Sequence, residues 1–228
     1  MDSQHRNEDE WKTVDETKEN GSVQEAANDT PRSVTHQREG RAFKEIVEWI
    51  KALVIAVLLV FVIRQFLFSP FIVDGDSMQP NFETSERLIV NKILYDIREP
   101  QFGEVVVFDV PEQGRKFIKR VIGVPGDQIR LDGDDLYIND VLVEEPYIKE
   151  AIEAARARGE LYNTEKNFPN ETVTEKTVPE GMIFVLGDNR GNSTDSRVIG
   201  FVKDEEIVGR ADVIFWPLDK ISFIKHRY

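Results

Sequence analysis

Hydrophobic and polar positions divide the chain into three stretches before any motif is considered. Residues 1–45 are charged and polar, beginning MDSQHRNEDEWKTVDETKENGSVQEAANDT, with almost no apolar periodicity. Such a segment buries too little apolar surface to offset the entropy of ordering it, which predicts a disordered tail. Residues 46–68, IVEWIKALVIAVLLVFVIRQFLF, are the opposite, with an unbroken apolar run from Ala52 to Ile63. From residue 69 to residue 228 the pattern shortens. RLIVNKI, GEVVVFDV, KFIKRVIGV, QIRLDGD, LYINDVLV, GMIFVLGD and ADVIFWP are β-branched runs separated by Gly, Pro, Asn and Asp, which predicts strands. Within LDGDDLYINDVLV, two hairpin turns are expected at Asp132-Gly133 and Asn139-Asp140. Tyr147 to Asn163 breaks the pattern with helix-forming residues that stop at Gly159, and a polar stretch runs on to Pro179. Residues 147–179 therefore read as a helical insertion on a mainly β domain.

The apolar stretch can be read in three ways. A buried helix of a soluble protein would keep a polar face, and Ala52–Ile63 has none. A cleavable leader would be shorter, less acidic and followed by a small-x-small site. The third reading is a single transmembrane anchor over 46–68. The apolar run alone is short of the ~20 residues a bilayer needs, but Lys51 and Arg64 stand where long cationic side chains can reach the interface. Arg32, Arg38, Arg41, Lys44 and Lys51 precede or open the span, and after Arg64 the next cation is Arg87. This asymmetry predicts a cytoplasmic N-terminus and an extracytoplasmic domain from residue 69 on.

Composition then narrows the chemistry. The net charge of −13 argues against a nucleic-acid partner. There is no cysteine, which excludes thiolate catalysis, disulfides and Cys-bound metals. His5, His36 and His226 are the only histidines. The first two lie on the wrong side of the expected membrane and the third is close to the C-terminus. A Ser-His-Asp triad and a zinc hydrolase both lack their imidazoles. No metal and no cofactor is expected.

Ser77 lies in FIVDGDSMQPNF, just past the anchor. Ser, Asp, Gly and Pro are also what ordinary turns are made of. If Ser77 is a nucleophile, a lysine remains as its base, and that lysine must be neutral, which burial can achieve. Lys119 in RKFIKRVIGVPGD is the best candidate, because strand alternation sets it between Phe117 and Val121 on one face. Periodicity alone fits an edge-strand lysine better, one that discourages sheet aggregation.

GDSMQP, GEVVVF, FIKRVIGVPGD and GDNRGNSTDSR, in this order and with these separations, resemble the boxes of the type I signal peptidases, in particular the single-anchor Gram-positive branch. The likeness runs from the anchor onward and leaves the acidic tail outside. It implies a coiled antiparallel β-sheet catalytic domain and a membrane-bound serine endopeptidase that cuts signal peptides from secreted preproteins after Ala-x-Ala-type residues. By that resemblance Ser77 is the nucleophile and Lys119 the general base. Ser193 matches a serine that helps hold the lysine, Asp195 and Arg197 a structural ion pair, and Asp188 a support of the same loop. Val73 and Ile118 are carried over as the lining of small substrate pockets. Two positions depart from the pattern: Gly75 stands where many Gram-negative members have a serine, and Asn81-Phe82 where Thr-Leu is usual.

The expected partners are secretory preproteins and membrane lipid, with the secretion translocon near by; no oligomer is implied. Ser77 follows Phe68 by nine residues, a tether of at most ~30 Å that would hold it near the membrane surface. Two other classes compete with this reading: a silent membrane-tethered module that binds export clients, and a self-cleaving Ser-Lys repressor. An inactive module would not be expected to keep all three of Ser77, Lys119 and Ser193. A repressor would need a DNA-binding helix pair in place of the tail and anchor.

Overall fold

The computed structural model describes residues 35–163 and 167–226. Most of the acidic tail, residues 1–34, lies outside that range. The first helix, α1 (Thr35–Val62), passes into a π-helical turn at Ile63–Leu67 and then into strand β1 (Phe68–Ile72). Among the described residues no helix is long and apolar enough to cross a membrane. The physical reason is visible in α1, where Lys44, Glu45, Glu48 and Lys51 occupy its middle third. Its side chains from Leu53 to Phe61 are nonetheless exposed all round.

The later strands are β2 (Arg87–Asn91), β3 (Val105–Val110), β4 (Arg115–Gly123), β5 (Ile129–Asp132), β6 (Asp135–Ile138), β7 (Val141–Val143), β8 (Met182–Leu186), β9 (Val202–Lys203), β10 (Ile207–Trp216) and β11 (Ser222–Phe223). The short helix α2 (Leu94–Ile97) follows β2, α3 (Lys149–Ala157) follows β7 and α4 (Ser196–Ile199) precedes β9. The main sheet runs β1-β2-β10-β3-β4-β8-β9, with β11 added to β10, and β5-β6-β7 form a second sheet. Every strand pairing among the described residues is antiparallel.

Each apolar run expected to be extended forms strand. β9 and β11 went unforeseen, since both are too short to show a period. The β6–β7 hairpin turns at Asn139-Asp140, both at positive φ (53° and 62°). The β5–β6 turn falls one residue later than expected, on Gly133-Asp134, because Asp132 pairs with Asp135. In the 147–179 segment the helix is shorter than its composition suggested.

Three apolar clusters fill the domain. One holds Val73, Met78, Phe82, Leu88, Val105 and Ile118 beside β10; a second joins β5, β6, Ile148 and Phe168 to β8; a third lies under β3, β4 and β9. In the second, the ring of fully buried Phe184 packs 4.4 Å from Phe168 and 6.0 Å from Phe201, centroid to centroid. Aromatic burial of this kind dominates core energetics. Phe184→Ala is expected to lower unfolding free energy by about 3–5 kcal/mol, read from the urea midpoint of the detergent-held chain.

Candidate active site

Ser77 is fixed in place by the segments on either side of it. The β1–β2 ladder continues past β1 through Val73, whose N–H donates to Glu86 O at 2.9 Å while its carbonyl accepts from Ser85 N–H at 2.9 Å. The chain then swings out through Asp74-Gly75-Asp76, with Gly75 at φ +99°, a conformation open to glycine and costly for other residues. It returns at Met78 and Phe82, both buried in the first cluster. Gln79 N–H closes a turn on Asp76 O at 3.1 Å, and Phe82 N–H bonds Met78 O at 3.1 Å. Ser77 therefore projects from a loop nailed down on both sides.

Lys119 is in the middle of β4 and only 3% exposed. Its Nζ lies 2.7 Å from Ser77 Oγ and 2.9 Å from Ile118 O, with the Phe117 ring centroid 5.0 Å away. Burial pulls the amine down to about 8; the Asp195 and Asp188 carboxylates oppose that shift and Arg197 assists it. Desolvation wins because removing a charge from water costs more than two carboxylates restore, each of them already committed to an arginine. At that value a sizeable fraction of the amine is neutral near physiological pH, and a neutral amine is chemically able to accept a proton from a hydroxyl within hydrogen-bond reach.

The segment after β8 forms the wall behind this pair. Asp195 takes two bonds from Arg197, Nε to Oδ1 at 2.8 Å and Nη2 to Oδ2 at 2.7 Å, and also accepts Gly187 N–H at 3.0 Å. Burial pushes the Asp195 carboxyl up. The Arg197 bonds, Gly187 N–H and the Ser193 hydroxyl outweigh it and hold the carboxyl below its ordinary range. Ser193 is buried, with its hydroxyl directed at Asp195. Gly187 lets the wall approach: a Cβ there would fall 2.2 Å from Ser193 Oγ and 2.4 Å from Ser77 O.

Asp188 has a partner that sequence reasoning missed. Arg120, fully buried on the opposite face of β4 from Lys119, donates from Nε to Asp188 Oδ1 at 2.8 Å and from Nη2 to Oδ2 at 2.6 Å. Its Nη1 reaches Gly103 O at 2.9 Å, and Tyr147 lies under the guanidinium at 4.0 Å. Arg190 pairs in the same buried manner with Glu145. A signal for Arg120 was present in FIKRVIGV, because an arginine flanked by Ile118 and Ile122 on one face of a strand must find a buried acid. Which acid is not legible from spacing.

In front of Ser77 is a cleft of about 560 Å³, lined on one side by residues from Phe71 to Ser77 and on the other by residues from Arg115 to Lys119. Val73 and Ile118 both pack in the first core cluster; Ile118 also lines the cleft, and Val73 is not among the lining residues. β4 pairs with β8 only from Arg120 on, and β1 is the last strand of the main sheet. Arg115–Lys119 thus leave one strand edge open to the cleft, as β1 does, and open strand edges accept an added extended chain. An exposed ion pair, Arg115 to Asp74 at 3.7 Å, crosses the mouth. Among the described residues no group of side chains could hold a metal ion.

The family model for signal peptidase, peptidase S26, matches residues 46–216. Signal peptidase I P of Bacillus subtilis subsp. natto is 39% identical over 189 residues, 82% of this chain and 98% of that one. Signal peptidase I of Bacillus caldolyticus is 43% identical over 173 residues, 74% of this chain and 91% of that one. A solved signal peptidase I from Enterococcus faecalis V583 is 40% identical and covers 50% of this chain and 97% of its own, with a TM-score of 0.45.

The lysine environment has a testable sign. The folded-state value of about 8 is below the ordinary 10.5, so the native state releases a proton that the unfolded chain keeps. Stability should therefore rise with pH between those values, and the cost of the buried charge is fully present below about 8. Lys119→Met is expected to raise the urea midpoint at ~pH 6, with the gain shrinking as pH rises towards ~10. A lower midpoint for the variant at ~pH 6 would show instead a charged, well-paired lysine.

Proposed function

The chain belongs to the signal peptidase family, peptidase S26, and on that premise we propose that it is a membrane-bound serine endopeptidase that removes signal peptides from secreted preproteins, with Ser77 as nucleophile and neutral Lys119 as general base. The observation that carries this reading is the 2.7 Å approach of Lys119 Nζ to Ser77 Oγ in a site where burial favours the neutral amine.

An extended preprotein segment lies between the open edges of β1 and β4, with alternate side chains pointing into the cleft. Lys119 takes the Ser77 proton as Oγ bonds to the scissile carbonyl carbon, and the Ser77 N–H donates to the oxygen that becomes negative. The C–N bond then breaks, the protonated lysine gives its proton to the leaving amine, and an acyl-enzyme remains. Neutral again, Lys119 takes a proton from water as its oxygen bonds to the acyl carbon; the ester C–O bond breaks, and the lysine returns that proton to the departing Ser77 Oγ. Small residues one and three places before the cut face the cleft that Ile118 lines. Ser193, Asp195, Arg197 and Asp188 keep the wall behind the lysine in place.

Residues 46–68 hold the domain at the cell membrane, with the N-terminus cytoplasmic and the peptidase domain outside. The support is the all-round exposure of apolar side chains from Leu53 to Phe61, with Lys51 and Arg64 reaching the two interfaces. The short tether to Ser77 keeps the cleft near the membrane face, where lipid, preproteins and the translocon meet.

Ser77→Ala and Lys119→Ala should each abolish cleavage of a preprotein while leaving the urea transition cooperative; sequencing the N-terminus released by the parent chain gives the cut position. Because the base must be neutral, kcat/KM should climb with pH and level off above about 8. Full activity in purified Lys119→Ala would remove the lysine from the mechanism. Topology has its own readout, since the chain lacks cysteine. In intact cells a membrane-impermeant maleimide should label Ser222→Cys at once and Ser33→Cys only after lysis; the reverse pattern would overturn the orientation.

A further inference from the structure

Asn81 stands at a joint that neither nucleophile nor base explains. Its side-chain amide donates twice, to Asp188 Oδ2 at 2.8 Å and to Tyr147 O at 2.9 Å. The first bond ties the nucleophile loop to the carboxylate that Arg120 grips. The second ties it to the start of the 147–179 insertion. Around this joint the same segments meet again: Asn189 N–H donates to Ser77 O at 3.0 Å, Asn189 Nδ2 to Asp76 O at 3.1 Å, and Tyr162 OH to Asp188 O at 2.9 Å.

The consequence is geometric. Ser77 Oγ and Lys119 Nζ come from different segments, a loop and a strand, and their 2.7 Å separation is set by how loop and strand are joined. Met78 and Phe82 hold the loop by apolar packing, which tolerates sliding. The directional link from loop to strand runs Asn81 to Asp188 to Arg120, the residue next to Lys119 in β4. The Tyr147 ring lies 4.0 Å over the Arg120 guanidinium, so the insertion touches both ends of that link. An amide side chain suits the position because it offers two protons to two acceptors, which a hydroxyl cannot do.

We propose that Asn81 is a positioning residue for the reaction: its two bonds lock the nucleophile loop to the Arg120–Asp188 pair and to the insertion, and so set the distance between Ser77 and Lys119. This role rests on the peptidase reading. Asn81 touches neither substrate nor reacting atoms and acts through the loop.

The experiment compares full-length chains in detergent on a peptide with an Ala-x-Ala cleavage site, well below their melting temperatures. Asn81→Ala is expected to lower kcat by about tenfold to a hundredfold with KM within about twofold, because a small misplacement of reacting groups acts on the chemical step. Asn81→Thr, which keeps one donor, should fall between Asn81→Ala and the parent. The control is Val202→Ala, which opens space in the third apolar cluster, on β9, and should lower the melting temperature with kcat within about twofold of the parent. Parent-like kcat in folded Asn81→Ala overturns the proposal, as does an equal loss of kcat in Val202→Ala, which would mark a general effect of destabilisation. Should Asn81→Ala not fold, the Asn81→Thr comparison decides: parent-like kcat overturns the proposal and an intermediate kcat supports it. If the parent chain itself leaves the peptide uncut, the peptidase reading fails, a result distinct from either of these.

Discussion

A lysine amine that is to accept a proton must first be kept from holding one, and most of the site can be understood from that constraint. Lys119 stands in the middle of β4 with its side chain buried, and burial lowers its affinity for a proton. The Asp195 and Asp188 carboxylates close behind it would undo this if they were unpaired. Each is therefore occupied by a buried arginine in a two-point contact, Asp195 by Arg197 and Asp188 by Arg120. Pairing leaves enough negative potential to offset part of the desolvation without reversing it.

That solution carries a structural cost. Arg120, Arg190 and Arg197 are all buried, and a buried guanidinium is tolerated only when its partners are complete. Much of the completion comes from the region that looked peripheral. Tyr147 stacks on Arg120, Glu145 pairs with Arg190, and Asn163 accepts from Arg197. The insertion and the segment leading into it are thus part of the packing that keeps the lysine dry. The close passage at Gly187 shows how little slack is left, because its Cα faces both the Ser77 carbonyl and the Ser193 hydroxyl.

Much of the organisation was legible in the chain. Short runs of β-branched and other apolar residues between turn residues mark β2, β3, β4 and β8; β2 alternates in burial, whereas most of β3, β4 and β8 is buried on both faces. Asn139-Asp140 announces its hairpin because two successive positive φ angles suit few residue pairs. The shortage of histidine and absence of cysteine narrowed the chemistry by elimination, and the spaced boxes pointed to Ser77 and Lys119. Val73 illustrates the limit: it is two residues from Gly75 at the cleft, yet its side chain lies in the core. Phe71, Ile72 and Asp74 on either side of it do line the cleft, so its neighbours' positions in the sequence do not say which residue of this segment turns inward.

Pattern and composition by themselves determined a β domain behind an apolar segment, the kind of nucleophile available to it, and the exclusion of imidazole and thiolate partners. These follow from local rules, in which each residue carries its own side-chain period, turn preference or ionisable group. Tertiary structure alone decided which acid answers which arginine, that Asn81 bridges loop and insertion, and that the lysine amine lies within hydrogen-bond reach of the serine. Those outcomes depend on residues 42 and 107 positions apart in the chain meeting in space. Only the packed sheet brings them together, and only its exclusion of water moves the lysine towards the neutral form.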